Sequence, residues 1–323
     1  MQNWENNKSF SEMTPRFQTA IDSTSLGAFK QCARYYYYTI ICGYTKMGVQ
    51  IHLDFGSAAH HVSESYQRSR SAGADHEEAL ENAVVGALVG TWDYTANAPA
   101  FDDPQKNRVS LVRFAVEYLD HYEKHASLVK TLQLANGKPA VELTFAFDTN
   151  IRSSQNEPII LCGHLDRLVS FNDDIYIADL KTTYEQMGSR YAERFTPDNQ
   201  FTTYTLAGRV ALGVPARGVL LDAAQIGVNF VRFQRFPIYR PQPVLDEWLA
   251  ALPYWTGLME SCAQKGDSLG TSPERAWPQN DKACGLYGGC QFREICGRSP
   301  MARKPIMDST FKIRRWDPVG EPR

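Results

Sequence analysis

From residue 11 to about 130 the apolar positions recur every three or four residues, most clearly over 76–89 and 109–122, and this spacing predicts a mainly helical region. Near residue 140 the period changes. Val141, Leu143, Phe145 and Phe147 alternate with Glu142, Thr144 and Ala146, the pattern of a strand with one buried face. Two further strands are expected over 159–169 and 175–180, joined by the turn Asn172-Asp173-Asp174, which makes a three-stranded meander. Pro197 opens a helix predicted to reach about Leu212, and 218–221 with 228–233 read as returning strands. Sheet, helix, strand and strand in that order predict a mixed α/β core. A last long helix is expected over 244–264, followed by a Gly- and Cys-rich segment ending near Gly297. The stretch 300–323 carries six Lys/Arg against three Asp/Glu, with three more prolines after Pro300, and reads as an irregular, locally basic tail. The chain therefore divides into four expected segments: 1–135, 136–240, 241–299 and 300–323.

Composition changes this picture little. With 323 residues, 43% hydrophobic and 22% charged, a sizeable core is expected in one large domain or two modest ones. The formal net charge of −2 does not advertise a polyanion partner, so any nucleic-acid surface must be a local patch. No apolar run approaches the ~20 residues that cross a bilayer, and the opening MQNWENNKSF lacks a basic start followed by an apolar run. A cytoplasmic protein without a membrane partner is expected.

The chemistry concentrates in two acidic signals, Gly163-His164-Leu165-Asp166 and Asp179-Leu180-Lys181. Carboxylates on neighbouring strands can hold a divalent metal, and a lysine two residues after the second leaves an ammonium beside the water that attacks a phosphodiester. Asp179 and Lys181 share a strand face by alternation, while the carbonyl of Leu180 between them stays free to ligate metal. Glu142 on the first strand can add a further carboxylate. Taken alone, a D-x-K triplet is more often a set of surface charges on a hairpin. The helical His60 and His61 both lie away from the apolar face of Ala58, Ala59, Val62 and Tyr66, so helical phase does not choose between them as ligands. His164 shares a strand face with Asp166 and is left as a bystander.

In order along the chain, Gly56-Ser57-Ala58-Ala59-His60 in a helix, Glu142 on a strand, Gly163 to Asp166, Asp179 to Lys181, and Gln200 with Tyr204 on the next helix resemble the PD-(D/E)XK nuclease superfamily. The resemblance is to its RecB-type exonuclease branch, which includes the CRISPR-associated iron-sulfur exonucleases. It implies a restriction-endonuclease-like central mixed sheet flanked by helices, a helical amino-terminal region and a carboxy-terminal iron-sulfur cap. It further implies that His60, Asp166 and Asp179 ligate Mg²⁺ or Mn²⁺, that Lys181 is the catalytic lysine, and that Gln200 and Tyr204 contact DNA or brace the site. The proline before the first aspartate is missing here, where this branch commonly has Gly-x-x-Asp.

Three of the seven cysteines form Cys284-x5-Cys290-x5-Cys296. Three ligands are too few for a closed tetrahedral site, so a fourth must come from elsewhere, and Cys32 is the natural candidate. The segment around Cys32 is similar to the amino-terminal cysteine box of the iron-sulfur members of the same branch, which implies a 4Fe-4S cluster with a structural role. The late cysteines are more widely spaced than is common there, and zinc on the same four sulfurs is the rival occupant. Cys42, Cys162 and Cys262 read as small buried hydrophobes. Around the cluster, Lys30, Arg34, Tyr35 to Tyr38, Tyr287, Phe292 and Arg293 offer either a track for single-stranded DNA or core aromatics. Arg232, Arg235 and Arg240 either line a phosphate channel or are solvated. The reading is a metal-dependent DNA exonuclease acting on single strands or free ends, in recombination, repair, phage or CRISPR DNA processing. Its rivals are a non-catalytic iron-sulfur DNA-binding or assembly subunit, and an endonuclease of the same fold. No G-x-x-x-x-G-K-[ST] loop supports a helicase.

Overall fold

A computed structural model describes residues 8–11, 17–48, 50–124, 128–269 and 273–319; the side chain of Tyr287 lies outside the described part, as do the last four residues of the expected basic tail. In chain order the elements begin with β1 (Ala20–Ile21), α1 (Ser23–Gln31), α2 (Ala33–Tyr36) and β2 (Tyr44–Lys46). Then come α3 (Ile51–Ser71), α4 (His76–Gly90), the short strands β3 (Trp92–Asp93) and β4 (Ala98–Pro99), and α5 (Arg108–Glu123). The central strands are β5 (Val129–Thr131), β6 (Val141–Arg152), β7 (Pro158–Phe171) and β8 (Asp174–Thr183). They are followed by α6 (Ser189–Glu193), α7 (Asn199–Val210), β9 (Ala216–Ile226) and β10 (Val231–Tyr239). The chain closes with α8 (Gln242–Leu269), α9 (Arg293–Cys296), α10 (Pro300–Thr310) and β11 (Phe311–Ile313). Two compact units result, one from residues 1–48, 145–163 and 243–323, the other from 49–144 and 164–242.

In the second unit, α3 buries Phe55, Ala58, Ala59, Val62 and Tyr66, the stripe that its three- and four-residue spacing dictates. Ala79, Ala83 and Ala87 of α4 and Leu111, Phe114 and Ala115 of α5 close this core. The small alanines let the helices approach closely. Side chains cap the starts of two of them: Asp75 accepts from the Glu78 N–H, and Asn107 with Ser110 forms a reciprocal capping box. Beneath lies a mixed sheet in which β7 runs antiparallel to β5 and β8, β8 parallel to β9, and β9 antiparallel to β10. Every β9 position except Arg217 is buried, as an interior strand requires. Leu180 of β8 joins the α3–α5 core, whereas Ile177, three positions earlier and so on the other face, meets α7 at Gly208. A Cβ on Gly208 would stand 2.9 Å from that of Ala216, so glycine sets how closely α7 sits on the sheet. Helices thus flank both faces of a central mixed sheet. The β7–β8 turn is the tight one expected, with Asn172 and Asp173 both left-handed at φ 49° and 62°. The returning strands are longer than the sequence pattern showed, and 228–230 form the turn between them, closed by a 2.9 Å bond from the Gly227 N–H to the Phe230 carbonyl.

In the first unit, Phe17, Ile21, Leu26, Phe29 and Tyr36 pack with Leu252 and Met259 of α8 and with Trp277. The expectation of an irregular tail is corrected here. Pro300 occupies the first turn of α10, where a missing N–H costs nothing, and β11 pairs with β2 while Phe311 is buried against Phe292. None of the described helices is long and apolar enough to cross a membrane.

Candidate metal centre

The β7–β8 ladder ends at the pair Arg167↔Ala178, so the next position on each strand holds an acid, Asp166 and Asp179. There the Asp166 side chain takes up the Leu180 N–H, 3.1 Å from Oδ2. Helix α3 brings His60 to the same carboxylate, with Nδ1 3.0 Å from Oδ2, while His61 keeps 61% of its side chain exposed beside Glu64. The structure therefore separates two histidines that helical phase could not. Glu142 arrives by a different device. Its backbone is left-handed, φ 49°, a region that non-glycine residues rarely occupy. Val141 and Glu142 consequently line one small cavity together, although consecutive residues of a regular strand face opposite ways. One ligand atom each from His60, Glu142 and Asp166 lies within 4.8 Å of the others.

Asp179 is 1% exposed and lies 2.8 Å from the Lys181 ammonium, so the D-x-K pair is an ion pair on one strand face. The two carboxyls are driven apart. Burial pushes Asp166 up, but the charges and hydrogen bonds of His60, Lys181 and the Leu180 N–H prevail and hold it at about 2. Burial raises Asp179, the neighbouring Asp166 charge adds to it, and Lys181 offsets only part. For His60, burial disfavours the imidazolium, yet Asp166 outweighs it and the ring binds its proton more tightly than a free histidine. The cavity at these residues measures about 20 Å³, near the volume that admits a single water or ion.

Several residues here escaped the sequence reading. Asp222, 1% exposed on β9, accepts from the Tyr118 hydroxyl at 2.8 Å and from Arg235 at 3.1 Å, and lines the same cavity. One sequence signal marked it: a lone acid inside the apolar run Gly218-Val219-Leu220-Leu221-Asp222-Ala223-Ala224. Tyr191 of α6 feels the Asp179 charge and bonds to Thr183. Gln200 donates to the Tyr204 hydroxyl at 2.9 Å across one turn of α7, and neither lines the cavity. His164 lies 3.0 Å from the Thr144 hydroxyl.

Elsewhere, in the first unit, Cys32 is the extended residue (φ −166°, ψ 116°) that separates α1 from α2. The Asn280 N–H donates to its sulfur at 3.3 Å, and the Asn280 carbonyl lies 3.8 Å from the Cys284 sulfur, so one residue draws the early and late cysteines together. Burial raises the Cys290 thiol, with Cys284 and Cys32 adding to it, and burial likewise raises Cys296, which Cys290 and Cys32 also influence. All seven cysteines are free thiols; burial holds Cys42 up at about 12 and also raises Cys162 and Cys262. The tyrosines of the supposed DNA track belong largely to the core. Tyr36 and Tyr38 are buried, Tyr37 stacks on Trp277, and Arg34 donates to the Trp277 carbonyl at 2.7 Å. Phe292 is buried as well, and Arg293 is exposed. Arg240 is neither solvated nor in a channel: it is 2% exposed and donates to the Phe195 carbonyl and the Thr202 hydroxyl.

Comparison with curated proteins returns no match. The family model of the PD-(D/E)XK nuclease superfamily matches residues 23–297, from the start of α1 past the last cysteine. That span takes in His60, Glu142, Asp166, Asp179 and Lys181 on a mixed sheet flanked by helices, and by this match the chain belongs to the PD-(D/E)XK nuclease superfamily, whose members are metal-dependent nucleases.

Proposed function

We propose that the chain is a DNA exonuclease of the RecB-type branch, in which His60, Glu142, Asp166 and Asp179, with the Leu180 carbonyl, hold Mg²⁺ or Mn²⁺. The observation that carries this reading is the convergence of an imidazole and two carboxylates within 4.8 Å. Hard oxygen donors with one imidazole suit these cations, and a cavity of about 20 Å³ suits an ion of their size. When bound, the cation supplies positive charge that polarises the scissile phosphate and acidifies water. Asp166, held at about 2, stays anionic at any working pH and so is a permanent counter-charge. Lys181 is paired with Asp179 at 2.8 Å, and as the catalytic lysine it would orient the attacking water and offset the developing phosphorane charge. Gln200 and Tyr204 brace α7 through their 2.9 Å bond.

Cys32, Cys284, Cys290 and Cys296 are assigned to a 4Fe-4S cluster of structural role. Four cysteines match in number and kind the donor set of such a cluster, and Asn280 contacts the sulfurs of both Cys32 and Cys284. Zinc is the rival. A brown preparation with about four irons per chain supports the cluster, and a colourless zinc protein refutes it. Seven free thiols suit a cytoplasmic setting, and recombination, repair, phage or CRISPR DNA processing are the roles such an activity serves.

The function is tested with Mn²⁺, end-labelled linear DNA and closed circular DNA, on wild type and Asp166→Asn. Loss of label from linear DNA with circles intact supports the exonuclease. Cut circles transfer the assignment to an endonuclease, and DNA binding without any cleavage transfers it to a binding subunit.

A further inference from the structure

Beside the metal centre, in the same unit, lies a second and much larger cavity of about 200 Å³. One water needs roughly 10–15 Å³ on this scale, so the space admits a phosphate with part of its sugar. Arg70, Tyr122, Glu123, Lys130, Arg167 and Arg235 are among its walls, and Arg167 and Tyr118 line the small cavity too. The two spaces therefore share a wall.

Four cationic groups, Arg70, Lys130, Arg167 and Arg235, and one carboxylate, Glu123, stand in its wall, and the small cavity behind Arg167 carries the acids Glu64, Glu142, Asp166 and Asp222. The wall itself is thus predominantly cationic, the complement of a phosphate monoester. The individual pairings sharpen the point. Arg70 is neutralised by Glu123 at 3.0 Å, and Arg235 by Asp222 at 3.0 Å with its guanidinium lying over the Tyr122 ring. Arg167 is served least well. It is 9% exposed, yet its hydrogen bond to the Thr131 hydroxyl is long, 3.5 Å, and Asp222 is 3.9 Å away. A guanidinium carries five donors in a planar fork, and one taken out of water with such loose partners is matched by a two-oxygen anion. Lys130, exposed on the edge strand β5, guards the rim.

We infer that this cavity is a phosphate subsite, with Arg167 as its inner fork and Lys130 at its mouth, which takes a terminal phosphate next to the metal centre. The inference that this phosphate belongs to DNA rests on the nuclease reading, whereas the site itself does not. Either the phosphorylated end of a strand or a released nucleoside monophosphate carries the required group.

The test is binding to the full-length protein in EDTA, where no cleavage occurs, with a fluorescent oligonucleotide bearing either phosphate or hydroxyl ends and with inorganic phosphate as competitor. The phosphorylated oligonucleotide is expected to bind about tenfold tighter, with inorganic phosphate removing the difference. Arg167→Gln is expected to abolish that difference, and Lys130→Gln to reduce it about threefold. Equal binding of both oligonucleotides, with thymidine 5′-monophosphate still bound in an Arg167-dependent way, assigns the site to the released nucleotide. If phosphate and nucleotide fail to bind, or bind equally to wild type and Lys130→Gln, the inference is overturned; the exposed Lys130 variant decides should Arg167→Gln not fold. Absence of nuclease activity leaves these binding results untouched.

Discussion

The His60 centre and the proposed cysteine site are built on opposite plans. His60, Glu142 and Asp166 come from a helix and two strands, and their ligand atoms already stand within 4.8 Å of one another. The four cysteines come instead from a helix break at Cys32, a 3₁₀ segment at Cys284, an irregular link at Cys290 and the end of the four-residue α9 at Cys296. Regular elements fix donors through backbone hydrogen bonds and packing, so a cation entering the first site adds charge to a shape that exists. The cysteines are held by isolated turn bonds, such as Cys290 N–H to the Cys284 carbonyl at 3.0 Å and Cys296 N–H to the Phe292 carbonyl at 2.9 Å, and by packing of Cys290 and Cys296 on the core, with no long element carrying them. The proposed cluster would have to draw the four sulfurs together, so its binding energy would be folding energy. The comparison predicts that losing one ion costs function and losing the other costs fold.

The sharpest way to break this contrast is Asp166→Asn, expected to lower cleavage by at least about a thousandfold while iron content stays that of wild type. An equal loss of iron would erase the distinction. Cys284→Ser is its counterpart, expected to remove iron and colour and to lower Tm by roughly 5–15 °C in calorimetry. Smaller effects probe the backbone. Gly163 has φ 154°, and a Cβ there would meet the Phe145 ring at 3.1 Å, so Gly163→Ala is expected to cost about 1–3 kcal/mol in urea unfolding. Glu142→Gly relieves a left-handed backbone, and it is expected to hold or raise stability by about 1 kcal/mol while cleavage falls. Glu142→Ala brings no such relief.

Protonation sharpens the same contrast. His60 is raised above its ordinary value, so its pairing with Asp166 stabilises the fold fully below about pH 6.5 and is lost as pH rises through the raised value. Asp166 works the other way, since its contribution is present above its ordinary range and lost only as pH falls towards about 2. A cation must displace the His60 proton. Mn²⁺ affinity is therefore expected to strengthen as pH rises through the His60 range, with protons released in calorimetry run in two buffers of different ionisation enthalpy.

Much of this was legible in the sequence because it depends on periodicity. The helical stripe of α3, the β7–β8 turn and the D-x-K face all follow from spacings of three to four or of two. Glu142 was named as a candidate, but alternation set it against Val141, and only its left-handed backbone turns both towards one cavity. Helical phase left His60 and His61 open and only the resemblance favoured His60; the contact of His60 with Asp166 depends on a strand remote in sequence. The network of Arg167, Asp222, Arg235 and Tyr118 joins three strands and a helix, so no local pattern contains it. Residues 300–313 mix apolar and basic positions around two prolines, and their order rests on Phe311 against Phe292 and on the pairing with β2, contacts composition cannot announce.

The most direct measurement is anomalous diffraction from crystals soaked in Mn²⁺. The account predicts a peak within roughly 2–2.5 Å of donor atoms from His60, Glu142 and Asp166, and its disappearance in Asp166→Asn. A peak seated on other residues, with these three side chains left to themselves, would contradict it.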